Sequence, residues 1–171
     1  MGKYSDFDRK DRDFYVTPEP AVLPLLAHLK PNSSFLEPCA GDGALVRHLD
    51  RYGHRCHYAC DIEPLEPKVY KRDAFDINVC AADYIITNPP WTRNILHPMI
   101  DHFRQMAPTW LLFDSNWANT KQAAPYLCYC AKIVAVGRVK WFPDSKMSGK
   151  EDCSWFLFGN EPTDTIFIGR S

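Results

Sequence analysis

The sequence predicts an α/β chain: a three-layer fold with a mainly parallel sheet, an antiparallel edge and helices on both faces. Three observations carry this. Short runs of strand-forming residues alternate along the chain with stretches whose apolar residues recur at helical spacing. An early strand, Ser34-Phe35-Leu36-Glu37, opens into a glycine turn and then a helix, the first half of a nucleotide-binding α/β unit. A later apolar run, Asp83 to Thr87, ends abruptly in Asn88-Pro89-Pro90-Trp91, and prolines cannot continue a sheet ladder.

The elements follow in order. Residues Met1 to Asp13 alternate Asp with Lys and Arg and hold little to bury, so they read as a flexible arm ahead of one domain over residues 14–171. A helix runs from Pro18 to about Leu29, with Val22, Leu25, Leu26 and Leu29 on one face and Thr17 as its N-cap. After the first strand and its turn, Leu45, Leu49 and Tyr52 share a helix face. His57 to Cys60 is the second strand and Val69 to Arg72 the third. A helix from Asn94 to Met106 carries a core stripe of Ile95, Met99, Ile100, Phe103 and Met106. Trp110 to Asp114 is a fifth strand, followed by a helix through Cys130 and a strand over Ile133 to Val136. Cys153 to Phe158 and Thr165 to Ile168 are closing strands, expected antiparallel.

Composition narrows the class. Net charge is −1, so any nucleic-acid surface must be local rather than global. Seven cysteines form no framework and no secretory leader precedes them, which favours a reduced, cytoplasmic protein. No apolar run reaches membrane-spanning length. His54, Cys56, His57 and Cys60 cluster, but on a strand neighbours face opposite ways, so no metal is assigned.

Several residues point to a ligand. Gly41 and Gly43 let backbone approach a bound molecule where a Cβ would clash. A dinucleotide fingerprint wants a third glycine where Val46 stands, which argues against a dehydrogenase. Asp61 lies 20 residues after Gly41 at a strand end, where α/β folds bind ribose hydroxyls. Between Gly137 and Lys150, Arg138, Lys140, Lys146 and Lys150 face one acid, Asp144, and flank Trp141-Phe142. Basic and aromatic residues in one loop suit phosphate contact plus base stacking. Trp117, just past the fifth strand, is placed at the lip of the pocket.

Asn88-Pro89-Pro90-Trp91, taken with Glu37-Pro38-Cys39-Ala40-Gly41-Asp42-Gly43, resembles the S-adenosylmethionine-dependent DNA adenine-N6 methyltransferases, of the small phage and bacterial type. The resemblance spans Tyr15 to Phe158 and implies a Rossmann-like class I methyltransferase fold. It implies that Tyr15 and Thr17 help hold the methionine carboxylate, and that the acidic residues Glu37 and Asp42 reach its ammonium. By the same resemblance Asp61 binds ribose and Ile62 covers the cofactor adenine. Asp73, with Asp76 in reserve, accepts from the adenine amino group, and the aromatic Phe75 packs on the ring. Cys39 and Ala74 complete these cofactor turns, and Asn88 borders the cofactor.

The motif also fits the chemistry. An adenine amino group is a poor nucleophile because its lone pair is delocalised. The Asn88 side-chain oxygen and Pro89 carbonyl can accept its two hydrogens and localise that pair, and Trp91 offers a face for an extruded base. Trp91 stands where Tyr or Phe is commoner. Trp141 or Phe142 is the opposing stacker by resemblance. The expected reaction is therefore adenine-N6 methylation of DNA. RNA adenine or protein glutamine methylation is the enzymatic alternative, and a catalytically silent nucleic-acid-binding subunit is the alternative of another class. A monomer or homodimer with short or relaxed sequence specificity is expected, because the chain has no room for a separate target-recognition domain. An accessory subunit could supply that readout.

Overall fold

The computed structural model describes residues 15–142 and 149–170. The arm over residues 1–13 and the candidate Lys146 lie outside the described residues. Among the described residues eight strands form one sheet in the order β3-β2-β1-β4-β5-β7-β6-β8. They are β1 (Ser34–Glu37), β2 (Arg55–Asp61), β3 (Tyr70–Lys71), β4 (Tyr84–Thr87), β5 (Thr109–Asp114), β6 (Cys130–Arg138), β7 (Asp152–Phe158) and β8 (Ile166–Ile168). The helices are α1 (Glu19–Leu26), α2 (Ala44–Arg51), α3 (Arg93–Arg104) and α4 (Ala124–Leu127).

Alternation along the central strands builds the three layers. Phe35 of β1, Tyr84 and Ile86 of β4, and Trp110 and Leu112 of β5 pack with α1 and α2 through Val22, Leu25, Leu45 and Leu49. Their neighbours Leu36 and Ile85 point the other way, onto Met99 and Phe103 of α3. Leu111 and Phe113 join Leu96 and Ile100 on that same face. A period of two therefore sends successive side chains to opposite layers, and both faces of the strands are buried. The Trp155 indole N–H donates to the Ala21 carbonyl at 2.7 Å, tying the start of α1 to β7.

The antiparallel part of the sheet is β7, lodged between β5 and β6 and antiparallel to both. Thr165 to Ile168 was expected to run antiparallel, but β8 pairs with β6 in parallel. The reason is a short connection. β7 ends where β6 begins, and the chain turns there under bonds from Gly159 N–H to Tyr129 and from Thr163 N–H to Cys128. β8 thus starts at the same end as β6 and lies along its outer side.

Other expectations shift locally. α1 stops at Leu26, short of Leu29, and the helix expected through Cys130 is the single turn α4, because Cys130 already pairs with Phe158 in the β6–β7 ladder. Tyr52 does not share the buried face of Leu45 and Leu49. It is 41% exposed, with its hydroxyl on the Glu19 carboxylate at 3.0 Å.

The strand order decides where a ligand can sit. From β1 the chain moves outward to β2 and β3, then returns to β4 on the other side of β1 and moves outward again. Connections therefore leave β1 and β4 in opposite directions, which opens a crevice at their carboxyl ends. Glu37 ends β1 and Asn88 follows β4, so the two motifs flank that crevice.

Candidate active site

A cavity of about 610 Å³ occupies the crevice. Its walls are the turns after β1, β2, β3 and β4, the segment before α1, and the first turns of α3.

The turn after β1 is held by its neighbour. Gly41 has φ 52°, and its N–H donates to Asp61 Oδ2 at 2.9 Å while its carbonyl accepts from Leu65 N–H at 3.0 Å. Asp61 Oδ1 accepts from Glu63 N–H at 2.8 Å, so one carboxylate organises two loops of the cavity. Each oxygen of a carboxylate has a further lone pair, so these bonds leave Asp61 able to accept ribose hydroxyls. Asp42 also lines the cavity, and its side chain accepts from Ala44 N–H and from Arg47.

Gly43 has a different role from the one expected. Its φ of 74° sets the left-handed turn into α2, but a Cβ there would meet Arg47 Nη1 at 3.2 Å and then Glu66. It does not line the cavity, and the positive φ of this turn is by itself reason for glycine there.

Glu37 lies on the cavity wall yet is fully buried. Oε1 accepts from Cys39 N–H at 3.2 Å, whereas Oε2 makes no well-directed hydrogen bond, nor does the buried Thr87 hydroxyl. Desolvation pushes the carboxyl up to about 8, offset only in part by Thr87 and the Cys39 N–H. Burial also raises the adjacent Cys39 thiol well above its ordinary range, with the Glu37 charge adding to it. A buried carboxyl with one oxygen unsatisfied suits a cation delivered by a ligand.

The sign of this effect makes a prediction. The folded chain holds a proton that the unfolded chain releases, so stability is full below the ordinary carboxyl range and falls as pH rises through about 8. The ligand-free protein should be less stable at about pH 8.5 than at about pH 5.5, by on the order of a few kcal/mol and read as a lower melting temperature, and Glu37→Gln should flatten the difference. Equal pH dependence in both proteins would contradict a buried, proton-holding Glu37.

Asn88 stands at the opposite side of the crevice. Its Nδ2 donates to Thr17 Oγ1 at 3.2 Å and to the Tyr15 carbonyl at 3.4 Å. Thr17 therefore meets the Asn88 amide and not the helix: the α1 N-cap is Pro18, with no side-chain cap bond. Both Thr17 and Tyr15 line the cavity. Asn88 Oδ1 accepts from the Trp91 indole N–H at 3.3 Å, which also donates to the Leu112 carbonyl at 3.2 Å.

The far wall is apolar. Ile62, Leu65 and Phe75 line the cavity while remaining 50%, 65% and 38% exposed, an unusual exposure that a planar apolar ligand would cover. Asp73 and Ala74 line it beside them, and Asp76 does not. Asp73 also accepts from Phe75 N–H, fixing the turn that presents that ring.

The structure thus brings Tyr15, Thr17, Glu37, Cys39, Gly41, Asp42, Asp61, Ile62, Asp73, Ala74, Phe75, Asn88 and Pro90 to one cavity. Pro89 is buried behind it. Trp91 sits beside Asn88 but outside the cavity wall, in an aromatic group with Trp141 (ring centroids 5.7 Å apart) and, through Trp141, Tyr15 (5.8 Å). Phe142 meets Tyr15 at 5.9 Å, so the loop after β6 stands next to the cavity. Arg138, the last residue of β6, and Lys140, just beyond it, are exposed, and the Gly149 N–H donates to the Val139 carbonyl between them.

Trp117 is not at the lip. It is 4% exposed, packed edge-on against Phe113 and Phe156, with its indole N–H on His97 Nε2 at 2.9 Å. An apolar ring in the middle of the 3-10 turn Ser115–Asn119 completes the α3 layer. Sequence reasoning missed Leu65, Ile95 and Met99 as cavity residues. Leu65 had a signal, an apolar residue in a polar, proline-flanked loop; Ile95 and Met99 had none, because their helical spacing serves the core as well. Among the described residues no group of three His, Cys, Asp or Glu side chains could hold a metal ion, and no helix is long and apolar enough to cross a membrane.

No protein-family model and no curated protein sequence matches the chain. Solved structures do. A Listeria monocytogenes protein assigned as a class I S-adenosylmethionine-dependent methyltransferase superposes with a TM-score of 0.61 at 10% identity, over 96% of this chain and 68% of its own. A Pyrococcus horikoshii protein assigned as an RNA methyltransferase gives 0.60 at 15% identity, over 91% of each chain. The M protein of the type I restriction enzyme EcoKI gives 0.57 at 12% identity, and there 88% of this chain spans only 46% of that one.

The fold is that of the class I methyltransferases. In that fold's terms, the cavity lies at the switch point between β1 and β4, with the glycine turn on one side and Asn88 on the other.

One prediction belongs to the glycine turn. Asp61→Ala removes acceptors from both Gly41 and Glu63, so ligand affinity should fall by about 1.5–3 kcal/mol, the worth of one or two charge-assisted hydrogen bonds. Calorimetry with S-adenosylmethionine giving wild-type affinity for this variant would remove Asp61 from the site.

Proposed function

We propose that this protein transfers a methyl group from S-adenosylmethionine to the N6 amino group of adenine in DNA. The observation that carries the proposal is the position of Asn88-Pro89-Pro90 at the carboxyl end of β4, across one cavity from the buried Glu37.

The residues present fit the cofactor. Glu37, with its unsatisfied oxygen, would hold the methionine ammonium, and Thr17 and Tyr15 stand near the carboxylate's expected side. Asp61 would take the ribose hydroxyls. Ile62 and Phe75 would cover the adenine, with Asp73 accepting from its amino group. The chemistry supplied by S-adenosylmethionine when bound is an electrophilic methyl group on a sulfonium.

The chain's own residues do the rest. Asn88 Oδ1 and the Pro89 carbonyl accept the two hydrogens of the target amine, which localises its lone pair for in-line attack. No strong base is required, since the methylated, positively charged amine is acidic and can lose a proton to water. Tyr15, Trp141 and Phe142 offer aromatic surface beside the cavity, and Arg138 at the end of β6 and Lys140 just beyond it offer phosphate contacts. That pairing supports nucleic acid over protein as substrate. Binding should weaken steeply as salt rises, as for any phosphate-dominated contact.

Incubation with methyl-tritiated S-adenosylmethionine and separate DNA, RNA and protein acceptors tests the substrate class. Label is expected in DNA. Label confined to RNA or protein would overturn the proposal.

A further inference from the structure

The Asn88 side-chain amide has two orientations that differ only in which end carries the acceptor, and only one of them can accept from a target amine. What decides between them is the set of neighbours. Thr17 Oγ1 lies 3.2 Å from Asn88 Nδ2, but a hydroxyl can donate as readily as accept, so it satisfies either orientation. The Tyr15 carbonyl accepts only, and at 3.4 Å its bond is weak. The Trp91 indole N–H donates only, and it lies 3.3 Å from Oδ1.

A flipped amide would set N–H against N–H at Trp91 and a carbonyl against the Tyr15 carbonyl. Trp91 and the Tyr15 carbonyl therefore both discriminate, and Trp91 is the one that acts on Oδ1. It is itself held in place, because the same N–H also donates to the Leu112 carbonyl of β5 and its ring packs edge-on against Trp141. The bond to Oδ1 is shared and leaves that oxygen a second lone pair for a substrate hydrogen. A Phe ring has no donor at all.

We propose that Trp91 is a positioning residue that locks the Asn88 amide with Oδ1 available to the target amine. The inference rests on the proposed role of Asn88. It assigns the indole N–H a task separate from stacking a base. Without that N–H, only the long bond to the Tyr15 carbonyl opposes the flip, and the flipped amide would present N–H groups to the amine.

The test removes the donor and keeps the shape. Trp91→benzothienylalanine replaces the indole N–H by sulfur in a bicyclic ring of the same outline, and Trp91→Phe is the genetically simple counterpart. With unmethylated DNA and S-adenosylmethionine, kcat should fall by about tenfold in both variants, about the loss of one hydrogen bond in the productive state, while KM for DNA and cofactor affinity stay near wild type. With nitrogen-15-labelled indoles and Trp91 kept, Asn88→Ala should shift the Trp91 N–H resonance from its wild-type position.

A benzothienylalanine variant with wild-type kcat, alongside an inactive Asn88→Ala, would overturn the inference and leave the Asn88 reading intact. A raised KM with unchanged kcat would also overturn it, making Trp91 a stacking platform. Full activity in Asn88→Ala would overturn both.

Discussion

Asn88→Ala should lower turnover by at least about a hundredfold, the usual cost of deleting a group that stabilises only the transition state. In the proposed reaction the side chain's oxygen is needed most as the amine leaves planarity, so its loss should fall on kcat. Cofactor affinity should stay close to wild type, because the proposed cofactor contacts of Glu37, Asp61 and Asp73 lie on other turns of the cavity. A small loss is expected from releasing Thr17 and Tyr15, which the Asn88 amide holds at 3.2 and 3.4 Å. Single-turnover kinetics with saturating S-adenosylmethionine separates the two effects. Wild-type turnover in this variant would remove Asn88 from catalysis.

Glu37→Gln has the second large effect, on binding. In the ligand-free protein the carboxyl sits at about 8, held up by desolvation, so near neutrality it is mostly protonated. Pairing with an ammonium requires the carboxylate, so cofactor binding should release a proton below about pH 8 and tighten as pH rises toward that value. Removing one partner of a buried charge pair costs about 2–5 kcal/mol, so affinity should fall by at least about thirtyfold. The ligand-free fold should not suffer, since an amide is cheaper to bury than a carboxylate. Calorimetry in buffers of different ionisation heat reads both the affinity and the proton. Unchanged affinity and no proton release would show that Glu37 does not meet the ammonium.

Local sequence signals made much of this site legible. A strand that must end at two prolines places Asn88 at a sheet edge whatever else the chain does. Glu37 followed by the Gly41 turn likewise announces a strand-to-helix crevice, and Asp61 at the next strand end completes it. What stayed hidden depends on contacts distant in sequence. The insertion of β7 between β5 and β6 joins residues tens of positions apart and leaves no local trace. Thr17 looks like an N-cap because Pro18 follows it, and only the fold brings Asn88 to its hydroxyl, 71 residues away. Trp117 misled for a related reason. An aromatic ring beyond a strand end can face solvent or fill a layer, and here His97 and the Phe113–Phe156 stack claim it. Trp91 was read for its face; its indole edge meets the Asn88 side chain and the Leu112 carbonyl, contacts only the fold reveals.

The central claim is that Asn88 activates an adenine amine in DNA for methyl transfer. Its most direct test incubates the purified protein with DNA lacking N6-methyladenine and S-adenosylmethionine bearing a trideuterated methyl group, then resolves the digested nucleosides by mass spectrometry. Trideuterated N6-methyldeoxyadenosine should form with the wild-type protein and fall to background with Asn88→Ala. Label on a different base, or equal label from both proteins, would contradict the account.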